Sequence, residues 1–323
     1  MEALKAEPSS ADIILKIYDD VAAEWAETSP YGPPPLNSGV CPDGTPLEIS
    51  VRISESGLDQ IRFIAQPGEP GLAEGESLDF EVRRALDFVG RWAGSTGQEQ
   101  LSEALSIFPT NDVDSFTGNF RLWLGAAADK SGAHVAKVYL NPWACSLDHQ
   151  GALALYHWLK VAGYTTEGLR RMQPWLTSDI QFTPHILGWN LSDEGVTAVK
   201  LYLQGSLNSR MLSRLTDDPE TGADACWTPW NQSGVPIRPE GEVHVALVCL
   251  PEGDPVTRFN LFCPDWFRSD LDVLAAFAAI HPEWPEEIWE TLAFVCKRSR
   301  RNGRIFNFAS LDPDSVTLYL KVG

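Results

Sequence analysis

The amino-acid sequence predicts an α+β fold in which ten antiparallel strands close into a barrel with a polar lumen and an outer ring of helices. Three observations lead to this prediction. Five turn clusters recur at intervals of roughly 60 to 75 residues, strand-like runs flank each cluster, and helical periodicity fills the intervals between them. A helix–hairpin unit repeated five times gives ten strands, and closing the sheet into a barrel removes its exposed edges.

Each predicted hairpin is centred on a cluster of Ser, Asp, Gly and Pro between two runs of alternating apolar and polar residues. The clusters are SESG from Ser54, DKSG from Asp129, SDEG from Ser192, PEGD from Pro251 and DPDS from Asp312. Turns of four residues join antiparallel strands, whereas parallel strands need long crossover connections. The pattern therefore argues against a parallel barrel of alternating strands and helices.

Between the hairpins, apolar residues recur at spacings of three and four, as on one face of a helix. This periodicity predicts helices over 10–28, 76–94, 151–163, 166–176 and 270–298. Two X-Pro pairs, His281-Pro282 and Trp284-Pro285, predict a break within the last of these. The interval 217–241 is rich in Pro, Gly and Asp, which predicts a loop or a broken helix. Of two roles open to its Trp227 and Trp230, covering the pocket or packing, packing is expected.

Strand alternation predicts which side chains face the lumen. If helices cover the outside, the apolar residues of each strand point outward and the polar residues point inward. The fifth and ninth strands do not alternate clearly enough to be oriented. For the other strands the inward set is Glu48, Ser50, Arg52, Arg62, Gln66, Asn119, Arg121, Trp123, Lys137, Tyr139, Lys200, Tyr202, Glu242, His244, Arg258, Asn260, Thr317, Tyr319 and Lys321.

Seven of the 25 basic residues belong to this inward set, although the chain as a whole has a net charge of −19. A single lysine or tyrosine on a strand is more commonly part of a solvated face. Seven cations in one cavity, however, repel one another and lose hydration, unless a multivalent anion neutralises them. Because Arg and Lys are the usual partners of phosphate, the sequence predicts a phosphate or diphosphate ligand.

Composition excludes several classes of protein. A chain of 323 residues that is 44% hydrophobic can bury a sizeable core, and the repeat predicts a single domain over 1–323. The acidic charge argues against nucleic acid or an anionic membrane as the main partner. We find neither a signal-peptide pattern nor a run approaching the roughly 18–20 apolar residues of a membrane span. Six cysteines without a C-x-x-C pair predict reduced thiols in a cytoplasmic protein.

Three stretches, in this order, resemble motifs of one known family: DGTPLEIS (43–50), KVYLNP (137–142) and KLYLQG (200–205). The family is that of the aromatic prenyltransferases with the ABBA fold, the αββα prenyltransferase barrel, and in particular bacterial-like members of the dimethylallyltryptophan synthase (indole prenyltransferase) type. The resemblance implies transfer of a dimethylallyl or geranyl group from an allylic diphosphate to an indole acceptor, tryptophan or an indole alkaloid, by Friedel–Crafts alkylation in secondary metabolism.

The resemblance also implies roles for single residues. Glu48 matches the catalytic glutamate that accepts a hydrogen bond from the indole N–H. The residues that match diphosphate ligands are Arg62, Lys137 and Lys200, with Arg258 and Asn260 standing where the family has a Gln-x-Tyr pair. The tyrosines that match the shield around the allyl cation are Tyr139, Tyr202 and Tyr319. Ala198 stands where fungal members carry a further arginine, and Arg121 and His244 are the candidates for taking the final proton.

The sequence predicts no metal cofactor, because several cations face the lumen and the Asp-rich DDxxD pattern that chelates magnesium in chain-elongating prenyl synthases is absent. Magnesium-assisted relatives of the fold nevertheless leave a role for magnesium open. Three alternatives to an indole enzyme are an enzyme of the same fold acting on a phenol or naphthol, one acting on a peptide, and a non-catalytic barrel that binds an anionic lipid. Glu48 disfavours the lipid carrier, which gains nothing from a carboxylate in the lumen, and the resemblance implies that it disfavours the phenol enzyme, since such members of the family generally lack the indole-binding carboxylate. The alternative role for Glu48 is structural, as a salt-bridge partner of Arg52 or Arg62.

Overall fold

The computed structural model of the chain describes most of the repeating units. The described residues are 8–26, 40, 47–66, 78–106, 122–142, 160, 166–167, 169–170, 175, 182–217, 222–238, 240–250, 256–298, 304–312 and 314–321. The strands within them are β1 (Leu47–Ser54), β2 (Gly57–Ala65), β3 (Leu122–Asp129), β4 (His134–Leu140), β5 (Thr183–Ser192), β6 (Gly195–Asn208), β7 (Glu240–Cys249), β8 (Val256–Phe262), β9 (Phe306–Asp312) and β10 (Ser315–Lys321).

These strands form one closed barrel in the order β1-β10-β9-β8-β7-β6-β5-β4-β3-β2. Every neighbouring pair is antiparallel, and β1 closes the ring by pairing with both β2 and β10. The prediction of ten antiparallel strands in a barrel is therefore confirmed. That the whole of 1–323 forms one domain stays a prediction.

The hairpin turns lie where the turn clusters predict them. Gly57, Gly132 and Gly195 have φ values of +99°, +84° and +113°, a conformation that glycine adopts without strain. In the second turn the carboxylate of Asp129 accepts hydrogen bonds from the backbone N–H groups of Ser131 and Ala133. The fourth cluster, 251–254, lies outside the described residues.

The helices precede the hairpins in chain order. They are α1 (Pro8–Ala26), α2 (Leu78–Trp92), α3 (Gly94–Leu105), α4 (Ser209–Thr216), α5 (Ala223–Gln232), α6 (Cys263–Trp266), α7 (Asp270–Ile280) and α8 (Glu286–Arg298). The break predicted in 270–298 is confirmed between α7 and α8. The segments predicted as helices over 151–163 and 166–176 fall largely outside the described residues.

Two helices occupy segments where the sequence gives weak helical signal. Helix α5 lies inside the interval predicted to be a loop or a broken helix and contains Pro229, and α4 directly follows β6. Helix α3 was not predicted, because its first turns contain two glycines. The second of them, Gly97, lies so close to β5 that an added Cβ would stand 3.1 Å from the carbonyl oxygen of Ser192.

The hydrophobic core lies between the outer face of the barrel and the helices. Outward strand residues such as Val138, Leu201 and Phe259 are almost fully buried there, which is where most of the stabilising apolar burial lies. Trp230 packs against Phe267 and Phe277 at centroid distances of 5.5 and 5.0 Å, so the predicted packing role is confirmed. Among the described residues, no helix has the length and apolarity needed to cross a membrane.

Candidate active site

Four cations from alternate strands converge inside the barrel. Arg62, Lys137, Lys200 and Arg258 come from β2, β4, β6 and β8, and they lie within electrostatic reach of one another. Lys137 is 3% exposed and Lys200 8% exposed. Four of the seven cations predicted to face the lumen thus lie together, and another of the seven, Arg121, lies outside the described residues.

The strands hold both lysines inside for a simple reason. On β4, Lys137 and Tyr139 alternate with Ala136, Val138 and Leu140, which belong to the core beneath the helices. The Lys-x-Tyr sequence of β6 repeats this arrangement, with its leucines in the same outer core. Because side chains alternate across a strand, burying one set against the helices commits the other to the lumen.

Burial and mutual repulsion weaken the basicity of the two lysines. The pKa of Lys137 is lowered well below its ordinary value, chiefly by burial and then by the charges of Lys200, Arg62 and Arg258. Burial and the two arginines lower the pKa of Lys200 to about 7. An anion bound among these side chains would restore their charge, because a nearby opposite charge favours the protonated form.

An acidic residue that sequence alternation did not assign partly balances this cluster. Asp312, at the end of β9, lies 2.6 Å from Nε of Arg258 and 3.8 Å from Nη2 of Arg52. Arg52 also donates from Nε to the hydroxyl of Ser315 at 2.8 Å. Asp312 thus neutralises part of the positive charge that the sequence predicts for the lumen. Repulsion by neighbouring cations still lowers the pKa values of Lys137 and Lys200.

Three tyrosines lie beside the cations. The rings of Tyr139 and Tyr202 are 6.3 Å apart, and the two hydroxyls are hydrogen-bonded. The hydroxyl of Tyr319 donates to Oδ1 of Asn260 at 3.4 Å. Burial raises the pKa of all three phenols, so they stay neutral and keep their O–H donors. Gly188 on β5 makes room for this group, since a Cβ there would stand 2.9 Å from the Tyr139 ring.

Glu48, on β1, is a buried carboxylate of the lumen. It is 6% exposed, lies opposite Lys321 on β10, and accepts a hydrogen bond from Nδ2 of Asn307 at 2.6 Å. Burial raises its pKa to about 8, while the Asn307 hydrogen bond and the charge of Lys321 lower it. Within the described part of the chain, Glu48 forms no ion pair with Arg52 or Arg62, which removes the salt-bridge alternative.

The tyrosines connect the carboxylate to the cations. Tyr139 and Tyr319 each lie within electrostatic reach of both Glu48 and Arg62. Phe308 on β9 extends this aromatic wall, with its centroid 6.3 Å from that of Tyr319. A planar aromatic molecule placed near Glu48 would therefore have both aromatic rings and the cationic cluster within reach.

Beyond Phe308 the lumen contains a polar corner. The ring of His244 lies 4.6 Å from Phe308, its Nε2 lies 3.2 Å from the carboxylate of Glu242, and its centroid lies 5.2 Å from that of His185. Burial lowers the pKa of His185 to about 4, so that side chain is neutral. His244 is thus a lumen residue, as predicted, whereas the other candidate proton acceptor, Arg121, lies outside the described residues.

A small apolar patch adjoins the cations on β6 and β7. Ala198, Ala246 and Val248 are buried together against Tyr202. A hydrocarbon tail fits such a patch better than a phosphate does.

Sequence reasoning missed Asp312, Asn307 and Phe308, all on β9, the strand that alternation could not orient. For Asn307 and Phe308 the cause is an irregularity in the pairing of β9 with β10, where Tyr319 lies opposite Phe308 but Leu320 lies opposite Phe306. Asp312 belongs to the turn cluster DPDS, whose residues the strand alternation does not assign to either face. The described residues hold no group of three or more His, Cys, Asp or Glu side chains arranged to bind a metal ion.

No protein-family model matches the chain, and no curated protein matches it. Solved structures do match. The 5-dimethylallyltryptophan synthase of Streptomyces coelicolor is 18% identical with a TM-score of 0.71, over 99% of this chain and 93% of that one. The 6-dimethylallyltryptophan synthase of Micromonospora olivasterospora, in complex with DMASPP and Trp, is 20% identical with a TM-score of 0.71, over 99% and 93%.

The prenyltransferase PriB in its apo form is 19% identical with a TM-score of 0.71, over 99% of this chain and 92% of that one. Likeness at this level of identity establishes a shared fold. The chain has the ABBA prenyltransferase barrel that the sequence resemblance implies, and the match covers nearly the whole of each structure compared.

Proposed function

We propose that this protein is an aromatic prenyltransferase that transfers a prenyl group from an allylic diphosphate to a carbon atom of an indole. One observation carries the proposal: a buried carboxylate, Glu48, shares one lumen with a cluster of four cations, two of them the buried Lys137 and Lys200, and neutral tyrosines lie within reach of both. A carrier for an anionic lipid would need the cations and would gain nothing from the carboxylate.

The solved structures of the same fold support this choice of substrates. Two of them are tryptophan dimethylallyl transferases whose crystals contain DMASPP and Trp. The cations of the present chain suit the diphosphate of such a donor, and Ala198, Ala246 and Val248 suit its hydrocarbon part. We therefore take dimethylallyl diphosphate as the first donor to test, with geranyl diphosphate as the second.

In the proposed reaction the allylic C–O bond breaks first. The electron pair leaves with the diphosphate, and Arg62, Lys137, Lys200 and Arg258 stabilise the departing charge. Preorganised donors of this kind typically contribute about 10²–10³-fold in rate each. The tyrosine rings face the allyl cation with their negative π-clouds and exclude the water that would convert it to an alcohol.

The acceptor carbon then attacks the cation. Glu48 accepts the indole N–H, orients the ring and stabilises the positive charge that develops on the nitrogen as the carbon–carbon bond forms. Loss of a proton from the alkylated carbon restores aromaticity. His244, which lies against Phe308 in the same lumen, is our candidate for receiving this proton.

We further propose that turnover needs no metal ion, because four protein cations can neutralise the leaving group. In this scheme magnesium is at most an accessory to diphosphate binding. We place the enzyme in the cytoplasm, where its buried thiols Cys226, Cys249, Cys263 and Cys296 stay reduced.

The test is product analysis. The protein is incubated with dimethylallyl or geranyl diphosphate and a panel of indoles, a naphthol and an indole-containing peptide, and the products are identified by mass spectrometry. We expect an indole to gain one prenyl unit. Exclusive alkylation of the naphthol would reject the indole assignment, and an absence of any prenylated product with tight diphosphate binding would favour a non-catalytic barrel.

A further inference from the structure

We infer that Asn307 is a positioning residue for the acceptor site: it holds one oxygen of the Glu48 carboxylate and leaves the other to receive the acceptor N–H. The hydrogen bond from Nδ2 of Asn307 to Oε2 of Glu48 is 2.6 Å long, and both side chains are buried. The described residues offer no hydrogen bond to Oε1. This role depends on the proposed function, in which Glu48 binds the acceptor.

The backbone of β9 is built to bring Asn307 to this place. Tyr319 pairs with Phe308, and the next residue of β10, Leu320, pairs with Phe306, so that Asn307 is the extra residue of a β-bulge. Phe306 is buried in the outer core, and Phe308 lies in the lumen. In a regular strand, Asn307 and Phe308 would point to opposite faces. The bulge lets both enter the lumen, and re-aiming a side chain is a known use of bulges near active sites.

The hydrogen bonding of Asn307 is unbalanced, which argues against a purely structural role. The side chain is fully buried, and among the described residues its Oδ1 has no hydrogen-bond partner. A buried acceptor without a partner is unfavourable, and an apolar residue of similar size would avoid it. The amide therefore supplies a hydrogen bond to Glu48 while its own Oδ1 stays without one among the described residues.

The orientation of the amide matches an ionised carboxylate. Asn307 presents its N–H to Glu48, and turning the amide over would bring Oδ1 against a carboxylate oxygen and repel it. A protonated Glu48 could instead donate its O–H to Oδ1. The residue pair can thus accommodate both states, and in the orientation seen here Asn307 favours the charged one.

The surroundings of Glu48 make this donor necessary. The charged and titratable groups that face it are Lys321 on β10 and the phenols Tyr139 and Tyr319. Burial raises the pKa of Glu48 to about 8 although Asn307 and Lys321 lower it. Because its pKa in the folded protein is raised, Glu48 is mostly ionised only above about pH 8. Loss of the hydrogen bond from Asn307 should raise this pKa further.

The experiment titrates Glu48 itself. Protein labelled with ¹³C at the glutamate carboxyl carbon is followed by NMR from pH 5 to 10, and the signal missing from Glu48→Gln identifies the residue. We expect Asn307→Leu, which keeps the volume and removes the donor, to raise the titration midpoint by about one pH unit. Asn307→Ser, which keeps a small donor, should give a smaller increase and serves if the leucine variant does not fold.

Kinetics supply the second measurement. In Asn307→Leu we expect kcat for an indole acceptor to fall about tenfold and the acidic limb of its pH profile to move up with the NMR midpoint, while affinity for pyrophosphate is unchanged. An unchanged Glu48 midpoint in both folded variants would overturn the inference. A wild type that titrates as expected but prenylates no indole would instead refute the proposed function and leave Asn307 as the residue that sets the ionisation of Glu48.

Discussion

Replacing Lys200 with methionine should stabilise the ligand-free protein and weaken its binding of diphosphate. Methionine has nearly the same length and is apolar, and Lys200 is only 8% exposed and close to Arg62 and Arg258. In the empty lumen its charge is buried beside like charges. In the diphosphate complex the same charge has an anionic partner. The two effects of the substitution therefore have opposite signs, which is not expected of an ordinary core or surface lysine.

The size of the stability effect follows from the pKa. Lowering the pKa of Lys200 from 10.5 to about 7 corresponds to a cost of about 5 kcal/mol for holding the charge in the folded state. Replacing a buried charge by an apolar residue of similar volume often recovers about 1–4 kcal/mol, because the protein relaxes around the charge. We expect Lys200→Met to raise the free energy of unfolding by an amount in that range below pH 7.

The sign of the pH dependence is fixed as well. Since the folded pKa is depressed, the unfolded chain binds more protons than the folded protein between about pH 7 and pH 10.5. The wild type therefore gains stability from this lysine as the pH rises through that window. The advantage of Lys200→Met should be largest below pH 7 and should disappear near pH 10.5.

Affinity for diphosphate should change in the other direction. A charge-assisted contact is worth about 1.5–3 kcal/mol, or roughly 10- to 150-fold in Kd. At pH 8 the binding of pyrophosphate should also draw protons onto the buried lysines, and Lys200→Met should take up about one proton fewer than the wild type. Calorimetry in two buffers of different ionisation enthalpy measures both quantities, and denaturant unfolding at several pH values measures stability.

Lys130 provides the matched control. It lies in the turn between β3 and β4, its side chain is 58% exposed, and its Nζ is 3.6 Å from Asp59. Lys130→Met should change neither diphosphate affinity nor proton uptake. If Lys200→Met bound pyrophosphate as tightly as the wild type, or took up as many protons, Lys200 would not be a diphosphate ligand.

Three further predictions concern turnover. Prenyl transfer should persist in excess EDTA, and loss of activity that magnesium restores would assign charge neutralisation to the metal. Gly188→Ala, whose Cβ would stand 2.9 Å from the Tyr139 ring, should displace that ring and raise the ratio of prenyl alcohol to prenylated indole, measured by chromatography; an unchanged ratio would exclude Tyr139 from the shield. The kcat/KM for the free enzyme should rise as Glu48 ionises near pH 8 and fall as Lys200 loses its proton above about pH 7, which gives a narrow bell. Glu48→Gln should abolish the acidic limb, and an identical profile in that variant would contradict its assignment.

The architecture and most of the candidate site can be predicted from the sequence, because both depend on strand alternation. Lys137 and Tyr139 alternate with apolar residues that pack against the helices. Because side chains alternate across a strand, both must point into the lumen. Alternation fails on β9, where the bulge at Asn307 interrupts the period of two. The donor to Glu48 depends on that bulge and carries no sequence signal of its own.

The helices after β6 were weakly predicted for a different reason. Helix α5 contains Pro229 and begins after Gly222, both of which usually mark loops. Its stability comes from tertiary packing, since Cys226 and Trp230 are buried against the barrel and the neighbouring helices. The intrinsic helix propensity of the segment does not include such tertiary contacts, and here the contacts outweigh it.

Comparing indole with N-methylindole as acceptors, in the wild type and in Glu48→Gln, tests most directly whether Glu48 binds the acceptor N–H. The substitution keeps the shape of the side chain and a carbonyl acceptor but removes the charge. We predict that Glu48→Gln lowers kcat for indole by about 10²–10³-fold and leaves folding and diphosphate binding intact. N-methylindole, which has no N–H to donate, should be a poor substrate of the wild type and should lose much less on substitution. Equal losses for the two acceptors, or a variant that unfolds more easily yet turns over normally per folded molecule, would contradict the role assigned to Glu48.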